Sequence, residues 1–245
     1  MVHKFLEHRL SALIFPRHCC CCDCLLPEIT VGCLADFCQP CLTQFSDGGL
    51  TTCPKCGAQG RGEPDERDCP LCRHPELRFE RGVTLGNYEG LLKQQVLRMK
   101  REGNEILAYQ FGRLLGHSLL RSGLHDVDLM TPIPTDWWRR LKTGFHAADV
   151  ICDGIRWETG FPTNNRLLQT TRRTLKQGKL TMSQRFTNLK GALRVNRGSV
   201  RGKTVLVVDD VMTSGATADQ ATRALLAAGA QRVYMAVAAR GGRLS

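Results

Sequence analysis

Two adjacent acids, Asp209 and Asp210, stand between an apolar β-branched run, Val205–Val208, and a loop of small and hydroxyl residues, Thr213, Ser214, Gly215, Ala216 and Thr217. Ala218, Ala221, Ala224, Leu225 and Ala228 then recur at helical spacing. A strand feeding a helix through such a loop makes a phosphate cradle. The loop amides and the first helical amides converge, and the helix dipole favours an anion there. Carboxylates beside a bound phosphate would repel it, so the acid pair needs other work. It can accept hydrogen bonds from the vicinal hydroxyls of a ribose, or hold magnesium through water. A ribose 5-phosphate meets both halves of the arrangement.

A second chemistry lies near the other end of the chain. Twelve of the thirteen cysteines fall between Cys19 and Cys72, with Cys152 alone beyond them. Four Cys-x-x-Cys turns can be written: Cys21/Cys24, Cys38/Cys41, Cys53/Cys56 and Cys69/Cys72. Each such turn offers two thiolates from one tight loop, so four turns close two tetrahedral zinc sites. Gly57, directly after Cys56, lets that turn curl under the metal. The first turn can also be written Cys19/Cys22. Cys21/Cys24 is preferred because Leu25-Leu26-Pro27 then follows it, as in similar zinc ribbons, and Cys33 is a spare thiol or a substitute ligand. The segment is poor in large apolar residues, so metal must supply much of its folding free energy, on the order of 10–16 kcal/mol per site in peptides. Four thiolates leave no open coordination position, which makes these sites structural.

Charge divides the chain in the same place. Residues 19–80 carry five Lys/Arg and ten Asp/Glu, whereas residues 81–245 carry 26 and 12. Thr159 to Val208 contains eleven Lys/Arg and no acid, more than surface solubility needs, which points to phosphate contact. No apolar run is long enough for a secretory signal or a membrane span. Clustered cysteines then indicate a cytoplasmic metal-binding chain rather than a disulfide scaffold.

These groups need elements to hold them. His3 to Ile14 places Phe5, Leu6, Leu10, Leu13 and Ile14 on one helical face, within a leading segment of residues 1–18. A cysteine-rich double zinc ribbon follows over residues 19–80. From Arg81 onward an α/β pattern sets in. Strands are expected at Val83–Tyr88, Val127–Met130, Val205–Val208 and Val233–Ala238. Helices are expected over Leu91–Met99, Ile106–Leu120, from Ala147 and over Ala218–Ala228. Alternation of this kind predicts a parallel sheet with helices on both faces over residues 81–245. Ligands collect at the carboxyl ends of such strands, where both Pro132–Pro134 and Asp209–Thr217 lie. The basic residues placed to grip phosphate or pyrophosphate are Arg139, Arg140, Lys142, Arg172, Arg173 and Lys176.

The strand, acid pair and Thr-Ser-Gly-x-Thr loop resemble the signature of type I phosphoribosyltransferases, which bind phosphoribosyl pyrophosphate with magnesium. The whole chain resembles the ComF/GntX family, which joins a zinc ribbon to a phosphoribosyltransferase-like domain. Thr131-Pro-Ile-Pro134 with Arg139, Arg140, Gly144 and Phe145 is similar to one family segment. Thr174, Gln177, Leu180, Arg185, Asn188 and Gly191-Ala192 are similar to another. Thr143 and His146 depart from the family's usual Arg and Asn. The resemblance implies handling of single-stranded DNA during competence and contact with DNA-uptake machinery. The alternative is an active, magnesium-dependent phosphoribosyltransferase of nucleotide salvage, for which no acceptor-choosing residues are evident. Aromatic residues are scarce across Thr159–Val208, so nucleic-acid binding there would be electrostatic and sequence-tolerant.

Overall fold

The longest apolar runs become the centre of a parallel sheet. The computed structural model describes residues 16–26, 35–45, 50–60, 69–73, 77–134, 144–172, 181–196 and 200–242. The cysteine-rich part contributes α1 (Gln39–Phe45), a small hairpin of β1 (Thr51–Thr52) and β2 (Gln59–Gly60), and a single turn α2 (Pro70–Arg73). Then come β3 (Arg81–Thr84), α3 (Gly90–Glu102), α4 (Glu105–Arg121), β4 (Leu129–Pro132) and α5 (Ala147–Thr159). A second antiparallel pair, β5 (Leu168–Thr170) and β6 (Leu193–Val195), brackets α6 (Met182–Leu189). The chain finishes with β7 (Thr204–Met212), α7 (Ala216–Ala227) and β8 (Arg232–Arg240). The expected helix over His3–Ile14 lies outside the described residues.

The main sheet has the order β3-β8-β7-β4, and every pairing in it is parallel. Period-two alternation along β7 separates two cores. Leu206 and Val208 face one core, with Leu92, Val96, Leu107, Phe111 and Ile151 of α3, α4 and α5. Val205 and Val207 face the other, with Ala218, Ala221 and Leu225 of α7. Helices cover both faces, as the alternating pattern predicted. In α4 and α5, Gly112 and Gly154 let the backbones touch: a Cβ on Gly112 would sit 2.2 Å from the Ile151 carbonyl oxygen.

The cysteine-rich elements join these cores on opposite sides of the sheet. Cys19 and Cys41 pack into the first with Phe37 and Phe45, and Phe37 stacks on Phe111 with ring centroids 5.7 Å apart. Cys53, Cys56, Cys69 and Cys72 pack into the second with Leu77 and Phe79.

One expectation needs correction. The strand carrying the acid pair does not stop at Asp209. It runs to Met212, because β8 supplies parallel partners as far as Arg240, opposite Met212. Ala216 and Thr217 correspondingly belong to the first turn of α7 rather than to the loop.

Candidate functional site

The end of β7 turns into α7 through Thr213, Ser214 and Gly215. Gly215 has φ 78° and caps the helix, a left-handed conformation that glycine adopts without penalty. Space also requires it: a Cβ there would lie 2.7 Å from Leu77 Cδ2. Ser214 is buried, and its hydroxyl accepts from the Ala216 amide at 3.3 Å. The α7 N-terminus opens onto a small, open pocket lined by Asp209, Thr213, Ser214, Gly215, Thr217 and Met235, among others. Six of the seven residues expected to hold the ligand, from Asp209 to Thr217, line it; Asp210 lies beside it, turned toward α3.

The two acids have different surroundings. Asp209 accepts a 2.8 Å hydrogen bond from the Asp210 amide. Burial first, and then the Asp210 charge, pushes its carboxyl up to about 7, against the opposing pull of that amide, Lys100 and His146. Asp210 instead meets the Lys100 ammonium of α3, 2.9 Å from its Oδ1. His146, the residue standing where Asn is usual, caps α5 with its Nδ1 3.1 Å from Asp149 Oδ1.

Behind the loop sits a residue that neither spacing nor composition singled out. Arg240 is wholly buried at the end of β8. Its Nη1 donates to the carbonyls of Met212 (2.9 Å), Thr213 and Gly241 (2.6 Å), and its Nη2 donates to the Leu71 carbonyl at 3.1 Å. Leu71 lies between Cys69 and Cys72, so one guanidinium ties the β7–α7 loop to a cysteine turn.

The basic residue found at the loop is not one of the six expected there, and figures only within the family-similar segment. Arg185 of α6 reaches the loop, with Nη1 3.4 Å from the Thr213 hydroxyl. Arg172 does not reach it; its Nη2 donates to the carbonyls of Asn188 (2.9 Å) and Lys190 (3.2 Å), fastening α6 to β5. Arg139, Arg140, Lys142, Arg173 and Lys176 lie outside the described residues, as does Thr143. The α6 segment had a sequence signal of its own, since Thr181 and Gln184 form a capping box.

Among the described residues, two groups of four cysteines could hold metal ions, the four sulfurs of each lying within 4.8 Å of one another. One contains Cys53, Cys56, Cys69 and Cys72, as expected. The other contains Cys19, Cys22, Cys38 and Cys41, which corrects the preferred Cys21/Cys24 turn to Cys19/Cys22. The reason is local. The Cys19 amide donates to the Cys24 carbonyl at 2.8 Å, and Asp23, at φ 60°, donates back to the Cys19 carbonyl at 2.9 Å. This reversal brings Cys19 under the Cys38 amide, 3.3 Å from its sulfur, while Cys20 and Cys21 pack against the core. Cys33 lies outside the described residues.

Comparison with known proteins agrees with this geometry. A phosphoribosyl transferase domain model matches residues 166–244, which include α6, β7, the loop, α7 and β8. The DNA utilization protein YhgH of Escherichia coli is 28% identical over 76% of this chain and 82% of its own length. Competence protein F of Haemophilus influenzae is 24% identical over 81% of this chain and 88% of its own. The chain is a homologue of the ComF proteins. Like the family it resembles, it sets cysteine clusters ahead of a phosphoribosyltransferase-like domain. Among solved structures, a glutamine phosphoribosylpyrophosphate amidotransferase from B. subtilis overlaps 53% of this chain and 26% of its own at 23% identity and a TM-score of 0.36, a distant likeness. Among the described residues, no helix is long and apolar enough to cross a membrane.

Proposed function

We propose that this ComF homologue binds phosphoribosyl pyrophosphate, or a closely related ribose 5-phosphate, at the end of β7, and handles single-stranded nucleic acid with its basic C-terminal part. The observation that carries the reading is the joint placement of Asp209 and the Gly215-capped α7 N-terminus around one pocket. The 5-phosphate would sit on the amides of residues 213–217, with Arg185 beside it, and the ribose hydroxyls would donate to the acid pair. Magnesium would arrive with the pyrophosphate and offset its charge. The reported roles of the named relatives, DNA utilization and competence, support the nucleic-acid part of the reading. So does the run from Thr159 to Val208, eleven Lys/Arg without one acid. Clustered thiols of this kind belong to a reducing compartment, the cytoplasm.

Each four-cysteine group fits one zinc ion. A tetrahedral Zn–S₄ centre with bonds of about 2.3 Å has sulfur–sulfur edges of about 3.8 Å. The observed edges are 3.6 Å for Cys22–Cys38, 3.9 Å for Cys53–Cys72 and 3.7 Å for Cys56–Cys69. Zinc there would fix the cysteine turns against the sheet without an open coordination position.

The test is calorimetric titration with phosphoribosyl pyrophosphate and magnesium, wild type against Asp209→Asn. Saturable binding that the variant weakens by about tenfold or more supports the site, since a charge-assisted acceptor would be lost. Equal affinity in both refutes it. Pyrophosphate release with a base or amine acceptor would establish the alternative, an active phosphoribosyltransferase.

A further inference from the structure

Arg240 carries a positive charge into the interior, and nothing in the ribose-phosphate reading uses it. The side chain is wholly buried. Among the described residues no carboxylate pairs with it: its Nη atoms meet only carbonyl oxygens, and its Nε has no partner. Carbonyls satisfy donors but bring no net charge, and a buried charge is costly unless an opposite one offsets it.

The second cysteine group lies beside this guanidinium. Leu71, whose carbonyl accepts from Nη2 at 3.1 Å, sits between Cys69 and Cys72. Hydrogen bonds from Cys53 and Cys72 favour the ionised form of Cys56, burial opposes them, and the Arg240 charge adds to the favourable side, so its field reaches that sulfur. Cys53, Cys56, Cys69 and Cys72 are each at most 2% exposed, so water cannot offset charge placed on them. Four thiolates around one zinc ion carry a formal charge of about −2. Guanidinium and metal centre therefore each lack the charge that the other holds. The first group differs, because Cys22 is exposed and Cys38 half-buried, leaving solvent to screen it.

Building on the zinc reading, we infer that Arg240 is the buried counter-ion of the tetrathiolate centre at Cys53, Cys56, Cys69 and Cys72, and that zinc retention there depends on its charge. It acts on the sulfurs through space and is not itself a ligand. The dependence runs both ways: without zinc the four thiols protonate, and the guanidinium is left uncompensated behind the β7–α7 loop.

Stepwise zinc release to a chromophoric chelator tests this on the full chain, with alkylation and mass spectrometry locating the freed cysteines. Arg240→Gln and Arg240→Lys separate charge from hydrogen bonding, since Gln keeps two donors and no charge, whereas Lys keeps the charge without the planar fork of donors. Arg240→Gln should weaken zinc at the second group by about tenfold or more, roughly the 10–100-fold effect of groups that support metal ligands from outside. The group of Cys19, Cys22, Cys38 and Cys41 should stay within about twofold of wild type, and Arg240→Lys should recover most of the loss at the second group. Unchanged zinc retention in the Gln variant overturns the inference. So does a Lys variant as weak as Gln, which would reduce Arg240 to a hydrogen-bonding strut. Equal weakening of both groups also overturns it, as a general loosening of the fold. If the Gln variant does not fold, the Lys variant decides alone: retention near wild type at the second group supports the counter-ion, and loss of that ion overturns it. A wild type that holds no zinc at the second group would overturn the zinc reading on which the inference rests.

Discussion

The Arg240 guanidinium donates at 3.1 Å to the carbonyl of Leu71, so the last residue of the sheet's final strand is bonded to the turn that joins Cys69 to Cys72. The same guanidinium holds the carbonyls of Met212 and Thr213 at the start of the β7–α7 loop. Arg240→Met would leave these carbonyls, buried at Met212 and partly buried at Thr213 and Leu71, without their donor, at a cost of about 1–3 kcal/mol for each that water cannot reach. The expected result is a loss of about 3 kcal/mol or more in urea unfolding, together with faster hydrogen exchange in both residues 212–217 and residues 69–73. Faster exchange in one segment alone would show that the two are not coupled through Arg240.

Zinc content should follow the Cys19/Cys22 register. Elemental analysis of the wild type should give two zinc ions per chain. The double variant Cys19→Ser with Cys22→Ser should give one, whereas Cys21→Ser with Cys24→Ser should keep two. Loss of an ion from the second double variant would restore the alternative turn.

Asp209 predicts an unusual pH response. Its folded pKa, raised to about 7, lies above the ordinary carboxylate value, so the native state holds this proton more tightly than the unfolded chain. The stabilising contribution is fully present below about pH 4 and is lost as pH rises through about 7. Asp210, Lys100 and His146 act on the same group, and its ionised form is the better hydroxyl acceptor. Ligand affinity should therefore increase between pH 6 and 8, with proton release detectable by calorimetry in buffers of different ionisation heat. Asp209→Asn should flatten the pH dependence of both stability and binding. An unaltered profile in that variant would assign the titration elsewhere.

Single-stranded DNA should bind with strong salt dependence. Neutralising about four phosphates gives a log–log slope near −3, at roughly −0.7 per phosphate. Changing Arg172, Arg173, Lys176 and Lys179 together to Ser should flatten that slope. Because Arg172 also fastens α6 to β5, the triple change at 173, 176 and 179 serves as the cleaner control. Fluorescence anisotropy reads both, and a salt-independent signal would argue against backbone contact.

The central strands, their parallel pairing and the loop between β7 and α7 were legible because each depends on a run of residues: β-branched apolar stretches, or glycine and hydroxyls ahead of a helical stripe. The extension of β7 past two acids was not, since it depends on the length of a partner strand about thirty residues away. Lys100 and Arg240 carry no local pattern. They matter through contacts separated by 110 residues in one case and 169 in the other. The first cysteine turn failed for the opposite reason. Five cysteines within six positions leave two registers open, and only the left-handed bend at Asp23 decides between them. The short β5 and β6, three residues each, offer too little alternation to be read.

The placement of the cysteine groups on opposite faces of one sheet has a consequence for synthesis. The thiols leave the ribosome first, yet the surfaces against which they pack include Ala236, Ala238, Met235 and Val237 of the last strand. β3 likewise waits for β8 as its parallel neighbour. Chains growing from the N-terminus fold as their contacts become available, and contacts this distant in sequence form late. The nascent protein therefore carries its cysteines uncovered for most of its elongation. Chains that stop short of β8 would leave those sulfurs open to oxidation and to capture by stray metal.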